Sequence, residues 1–157
     1  MTSLRAVAAT MLLALSIVAC TDGAPHTGTE VRVGAGVFGT RGWTSWAYRS
    51  MDSGLCLQIR LESGDTTELC GIDTNGTSTW RPEGPDGTFV AGTSADPRGV
   101  AARVTLADGS ELLAPVVPAT DVTNLGFYVI PVPTGPEPAV LDILDGDDAV
   151  IGSIPLD

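Results

Sequence analysis

From Trp43 onward the apolar residues come in short runs broken by turn pairs. Val, Ile, Leu and aromatic clusters alternate with Ser53-Gly54, Ser63-Gly64, Asn75-Gly76, Asp86-Gly87, Asp108-Gly109 and Asp145-Gly146. No segment after the first 20 residues sustains a 3.6-residue period, and no repeat of fixed length is visible. This is the grammar of an all-β chain. Strands are predicted near Trp43–Arg49, Leu55–Glu62, Thr66–Ile72, Thr88–Gly92, Val100–Ala107, Glu111–Val117, Gly126–Pro131, Ala139–Leu144 and Ala149–Ile154. Val100, Ala102, Val104 and Leu106 alternate with Ala101, Arg103 and Thr105, as in a strand with one dry face. Asp108-Gly109 is a strong hairpin signal, and Asp145-Gly146 predicts the turn of the last pair. The Gly-rich stretch Glu30 to Thr40 reads either as a first strand or as an extended arm. Pro115, Pro118, Pro131, Pro133, Pro136 and Pro138 cannot donate to a ladder, so they belong at edges and strand ends.

The register of one hairpin follows from its cysteines. Cys56 and Cys70 are symmetric about Ser63, in Glu62-Ser63-Gly64. A turn there pairs residues whose numbers sum to 126, so Leu57 faces Leu69 and Ile59 faces Thr67. Leu55, Leu57, Ile59, Leu61 and Leu69 then share an apolar face. Cys56–Cys70, Gln58–Glu68 and Arg60–Thr66 fall on the polar one. Directly opposed cysteines have a Cβ separation that a disulfide can close. An immunoglobulin bridge, by contrast, joins two sheets across a wider spacing.

The first 20 residues follow a different pattern. Arg5 is their only charge, and an apolar run from Ala6 to Ala19 follows it. A helix of that length spans about 21 Å at 1.5 Å per residue, short of a bilayer core of roughly 30 Å. The run fits the apolar core of a secretory signal instead. It ends in Ile17-Val18-Ala19-Cys20, which reads as a lipobox. Cleavage between Ala19 and Cys20 and acylation of Cys20 (diacylglyceryl on the thiol, a further chain such as palmitate on the amine) would give a lipoprotein. Each buried methylene contributes about 0.8 kcal/mol, so two or more chains anchor stably where one is marginal. The predicted organisation is therefore a helical signal peptide over residues 1–19, a lipidated N-terminus and flexible tether over 20–29, and one domain over 30–157. The predicted location is extracytoplasmic, on the outer face of a bacterial plasma membrane. In that oxidising setting Cys56 and Cys70 are expected as a disulfide.

Charge then narrows the partners. The chain has 19 acidic residues, eight arginines, no lysine and a net charge of −11. Such a surface repels nucleic acid and anionic headgroups, which leaves membrane attachment to the acyl chains on Cys20. The one histidine, His26, lies in the tether, so the domain offers no Ser-His-Asp triad and no multi-histidine metal site. Without lysine there is no Ser-Lys dyad or Schiff base. No carboxylate pair stands out, and the chain is not read as an enzyme; no cofactor or metal is expected. Asp142, Asp145, Asp147 and Asp148 around Gly146 invite a calcium-loop reading, but Leu144 occupies a position that such a loop needs. An acidic turn is preferred. Trp43, Trp46, Tyr48 and Trp80 could line a binding surface, but core packing is preferred, with Trp46 and Tyr48 sharing one inward strand face. Asn75-Gly76-Thr77 matches a glycosylation acceptor and reads more simply as a turn.

Several of these stretches resemble a group of uncharacterised actinobacterial secreted and lipoprotein β-sandwich domains. They are Trp46-Ala47-Tyr48-Arg49-Ser50, Gly54-Leu55-Cys56-Leu57 with Cys70-Gly71, Val100 to Val104 with Leu106 to Gly109, Phe127-Tyr128-Val129 with Pro131 and Pro133, and Asp142 with Asp145-Gly146. The resemblance implies an immunoglobulin-like β-sandwich of about seven to nine strands, and it brings no catalytic or ligand residues with it. The leading expectation is a non-catalytic module that binds another protein or a cell-envelope component. The alternative is a small-ligand or cation-binding lipoprotein using the acidic turn Asp142–Asp148 or the aromatics Trp43 and Trp46. An exposed, unguarded edge strand would favour the first. A calcium-dependent melting shift would favour the second, and a deep pocket with converging carboxylates would point to an enzyme instead.

Overall fold

A computed structural model describes residues 28–84 and 86–156. In chain order the strands are β1 (Val31–Phe38), β2 (Arg41–Ser50), β3 (Gly54–Leu61), β4 (Thr66–Cys70), β5 (Ser78–Trp80), β6 (Glu83–Gly84) and β7 (Gly87–Ser94). They continue with β8 (Ala101–Leu106), β9 (Glu111–Pro115), β10 (Val117–Pro118), β11 (Gly126–Pro133), β12 (Pro138–Leu144) and β13 (Val150–Pro155). All paired strands are antiparallel. Each of the nine predicted strands is present. The Gly-rich stretch forms β1, while β5, β6 and β10 are too short to leave a periodic signal. The Thr66–Ile72 strand ends early, because Gly71 adopts φ 72° and turns its N–H to the Ser53 carbonyl at 2.9 Å.

Sheet A is the meander β1-β2-β3-β4; sheet B has the order β10-β11-β7-β5 with β6 beside β7; sheet C has the order β13-β12-β8-β9. An immunoglobulin-like pair of sheets was the expectation, whereas these strands form three. The reason lies in β7 and β11, which are apolar at successive positions. Phe89, Ala91, Phe127 and Val129 pack with Val33, Trp43, Ala47, Leu57 and Ile59 of sheet A. Their neighbours Val90, Tyr128, Ile130 and Val132 pack with Ala102, Val104, Leu141 and Ile143 of sheet C. Sheet B is therefore dry on both faces and lies between A and C, which explains its continuous apolar runs. Each fully buried Val, Leu, Ile or Phe contributes about 2 kcal/mol by removal from water. Phe89 adds edge-to-face contacts with Phe38 (5.0 Å) and Trp43 (5.6 Å).

The middle sheet also carries a close approach that needs glycine. The Tyr128 hydroxyl donates to the Ser78 carbonyl at 2.9 Å and lies 3.0 Å from Thr79 Oγ1. A Cβ on Gly92 would sit 1.9 Å from that carbonyl oxygen and 2.5 Å from the hydroxyl. Burial holds the Tyr128 phenol well above its ordinary pKa.

The hairpin register of β3 and β4 is the one the cysteines imply: Cys56 faces Cys70, Leu57 faces Leu69, Gln58 faces Glu68 and Ile59 faces Thr67. Most of the prolines keep to edges or strand ends: Pro115 closes edge strand β9, Pro118 lies in edge strand β10, Pro133 closes β11 and Pro138 opens β12, whereas Pro131 lies within β11 opposite Phe89, beyond the reach of β10. In the predicted Val100–Ala107 strand one inward assignment fails. Val100 precedes β8 and is half exposed, because its N–H and C=O are spent on Leu144 and Val116 where the chain leaves sheet C.

Candidate functional site

Cys20 and Ala19, the predicted acylation and cleavage positions, lie outside the described residues. Cys56 and Cys70 form a disulfide between adjacent strands of one sheet, with a 2.01 Å S–S bond and Cα atoms 4.1 Å apart. Around it runs a polar network on the face of sheet A turned away from sheet B. Tyr48 O–H and Gln58 Nε2 both donate to Glu68 Oε1, the latter at 3.0 Å. Arg60 donates to Gln58 and, at 2.8 Å, to Glu30, and its guanidinium lies 5.3 Å from the Trp46 ring centroid.

The expectation that Trp46 and Tyr48 share one inward face holds in part: Tyr48 is buried and Trp46 half-buried, but their shared face is not the one turned to sheet B. Trp46 is paired with Gln58 and Tyr48 with Cys56, which puts both aromatics on the disulfide face. Trp43 takes the inward place and Trp80 packs against the same core cluster. Trp46, covered by Arg60, and Trp43, 6% exposed, do not together form a binding platform.

The acidic final turn also divides its residues among separate tasks. Asp142 is buried in β12, where it accepts hydrogen bonds from Arg103 (2.7 Å) and Ser153 (2.8 Å). Asp145 Oδ1 accepts from the N–H groups of Asp147 and Ala149, the pattern of a side chain building its own turn, and Asp148 takes φ 61°. Among the described residues, no group of three or more His, Cys, Asp or Glu is placed to hold a metal ion. Asn75-Gly76-Thr77 is a turn organised by Asp73, whose Oδ1 accepts from the Asn75 N–H at 2.9 Å.

What the sequence did not reveal is a groove where three sheet edges meet. One wall is β1. It pairs with β2 on one side and, among the described residues, with no strand on the other. Gly34, Ala35 and Gly36 give this edge almost no side-chain cover. The two glycines make room for Trp43, whose ring would lie 3.1 Å from a Cβ at either, and a Cβ on Gly34 would also meet Ser45 Oγ at 2.7 Å. The facing wall comes from β9, β10 and β11. The chain crosses from sheet C to sheet B at Val116, and β10 pairs β11 only at Phe127 and Gly126, which leaves the β11 edge at Val129 and Pro131 open. The groove, about 420 Å³, is lined mainly by Val33, Trp43, Leu113, Val117 and Val129, with Arg32 as its one charged residue.

Arg32 is exceptional in this acidic chain. Arg41, Arg60, Arg81, Arg98 and Arg103 each approach a carboxylate, and Arg49 donates to the Val122 carbonyl. Among the described residues, Arg32 alone of the arginines has no ion pair and no side-chain hydrogen bond.

A second, smaller cleft of about 240 Å³ opens at the far end of the A–B interface, with Ile59, Leu61 and Phe89 in its floor and Asp65 and Glu83 at its rim. The Asp65 carboxylate is engaged by the Ser63 hydroxyl at 2.8 Å. No protein-family model, curated protein or solved structure matches this chain.

Proposed function

We propose that this chain is a bacterial lipoprotein, held on the outer face of the plasma membrane by acyl chains on Cys20, and that its domain is a non-catalytic module that binds another protein of the cell envelope. Ile17-Val18-Ala19-Cys20 after a short apolar run supports the anchoring. The Cys56–Cys70 disulfide supports an oxidising compartment. The resemblance to actinobacterial secreted and lipoprotein β-sandwich domains points the same way. Sheets A and B, packed face to face, are immunoglobulin-like only in the loose architectural sense, with sheet C added.

The observation that carries the binding role is the open edge of β1 beside an apolar groove. Natural proteins guard edge strands with charge, proline or short length. β1 is eight residues long; its one charge, Arg32, and a register shift against β2 both fall in its first half, which leaves Gly34-Ala35-Gly36 with neither charge nor proline. The small-ligand alternative loses ground, since Asp142 and Asp145 are already committed to internal hydrogen bonds.

Two measurements test the reading. Wild-type chain should fractionate with membranes and Cys20→Ala should not. A photo-cross-linking residue at position 35 should give a discrete protein adduct in intact cells, while one at exposed Thr120 should not. A soluble, reduced cytosolic protein, or identical labelling from both positions, refutes it.

A further inference from the structure

We infer that the groove takes an extended, mainly apolar segment of the partner protein as an added strand on β1, with an acidic side chain of that segment paired to Arg32. This rests on the binding-module reading above and specifies its partner. Three features of the groove converge on that chemistry.

The first is backbone. Strand addition needs a row of free N–H and C=O groups that no side chain screens. The Gly34-Ala35-Gly36 stretch supplies it, and exposed Val37 extends it. On the facing wall Pro115 and Pro131 have no N–H to give, so β1 is the edge that an incoming strand can pair with, along the regular stretch from Gly34 to Phe38 that follows the register shift between Arg32 and Gly34. The regular stretch Gly34–Phe38, at about 3.3 Å per residue, matches a segment of roughly four to six residues.

The second is apolar cover. Side chains on one face of an added strand would meet Val33, Val117 and Val129, with Trp43 beneath. Leu113 is 62% exposed at the rim, and an occupant would cover it. A strand with apolar residues at alternate positions fits this groove; a uniformly polar one leaves it wet.

The third is charge. The chain carries −11 overall, and its surface repels acidic segments generally. Arg32 breaks that rule at one place only, and its guanidinium is uncommitted. A guanidinium can grip a carboxylate through two parallel hydrogen bonds, which fixes the position of the acid along the strand. One attractive site in a repulsive field sets register, because any slip moves the acid toward like charge.

The test pans a displayed library of random decapeptides on the full lipidated chain in detergent, then measures the enriched peptides as synthetic, end-blocked molecules. The expected winners alternate apolar residues and carry an Asp or Glu at a fixed position. Arg32→Gln should weaken them roughly three- to tenfold. Replacing the peptide acid by its amide should cost as much on the wild type and nothing further on the Arg32→Gln chain. Ala35→Trp, at an exposed position, should block binding without lowering the melting temperature, and bound peptide should slow exchange of β1 amides. Enriched peptides that bind Arg32→Gln and wild type alike overturn the acid pairing while leaving a protein-binding module intact. Enriched peptides indifferent to Ala35→Trp, or no enrichment at all, overturn strand addition at β1. The anchoring and cross-linking measurements above decide the broader reading separately.

Discussion

Replacing Cys56 and Cys70 together by Ala probes both the hairpin register and the origin of the domain's stability. The bridge spans a sequence separation of 14. A closed loop of about 15 residues removes roughly 3 kcal/mol of chain entropy from the unfolded ensemble. Unfolding entropy near 60 °C is about 2.1 cal/mol/K per residue, which over roughly 130 residues gives about 0.27 kcal/mol per degree. The double variant should therefore melt about 11 °C lower. Its fold should persist, because Leu57, Ile59 and the β2–β3 pairing hold the strands without the bridge. Urea titration followed by tryptophan fluorescence separates the two ways this loss can arise. If the bridge works by constraining the unfolded chain, removing it lets that chain expand, so the slope m rises while the midpoint falls. A loss below about 1 kcal/mol refutes the loop-entropy argument. A full loss with unchanged m would instead place the effect in native packing around buried Cys56.

Two further outcomes follow from single positions. Gly92→Ala forces a Cβ to within 1.9 Å of the Ser78 carbonyl, so β5 must move and the Tyr128 hydrogen bonds break; by urea unfolding this should cost about 3 kcal/mol or more. Gly146→Ala, with nothing within 4 Å of the new Cβ, is the control and should change stability by less than about 0.5 kcal/mol; equal effects at both sites would sink the close-approach argument. The Asp96 carboxyl is held down to about 2 by hydrogen bonds from the Arg98 side chain and backbone N–H. Its folded value is below its unfolded one, so its contribution is full above about pH 3.8 and fades as pH falls toward 2. A carbon-detected NMR titration should give a midpoint near 2, moving up in Arg98→Gln; an Asp96 midpoint near 3.8 in the wild type would show that the pair does not persist in solution.

Local pairing was legible in the sequence and the stacking of sheets was not. The β3–β4 register follows from parity about Ser63, since side chains alternate faces and opposed cysteines leave one solution. Parity also held the clue that went unread at Trp46 and Tyr48. Once β2 and β3 form a hairpin ending at Ser50 and Gly54, Tyr48 must face Cys56, and the pair joins the disulfide face rather than the A–B interface, with Tyr48 still buried there. The third layer left its mark in Phe89-Val90-Ala91 and Phe127-Tyr128-Val129-Ile130, which are apolar at every position where a half-wet strand would alternate. The groove had no such mark. Arg32 and Val129 are distant in sequence, and their approach depends on the crossing at Val116, where the chain leaves one sheet for another.

The open edge and the acidic surface explain each other. An open edge strand invites pairing with a second copy, and the Gly34–Phe38 half of β1 carries neither proline nor charge to prevent it. Two copies meeting edge to edge would bring together two surfaces of net charge −11 and would set the groove's lone arginine against its twin. At physiological ionic strength that repulsion acts over about 8 Å, which spans the approach of two edges about 5 Å apart. A strongly acidic surface thus opposes self-pairing electrostatically, from charge carried outside the Gly34-Ala35-Gly36 stretch. A guard built into the strand would block a partner and a copy alike. A repulsive field spread over the whole domain would oppose the copy more than a neutral or apolar strand, and in the strand-addition proposal Arg32 is the place where such a strand carries an acid.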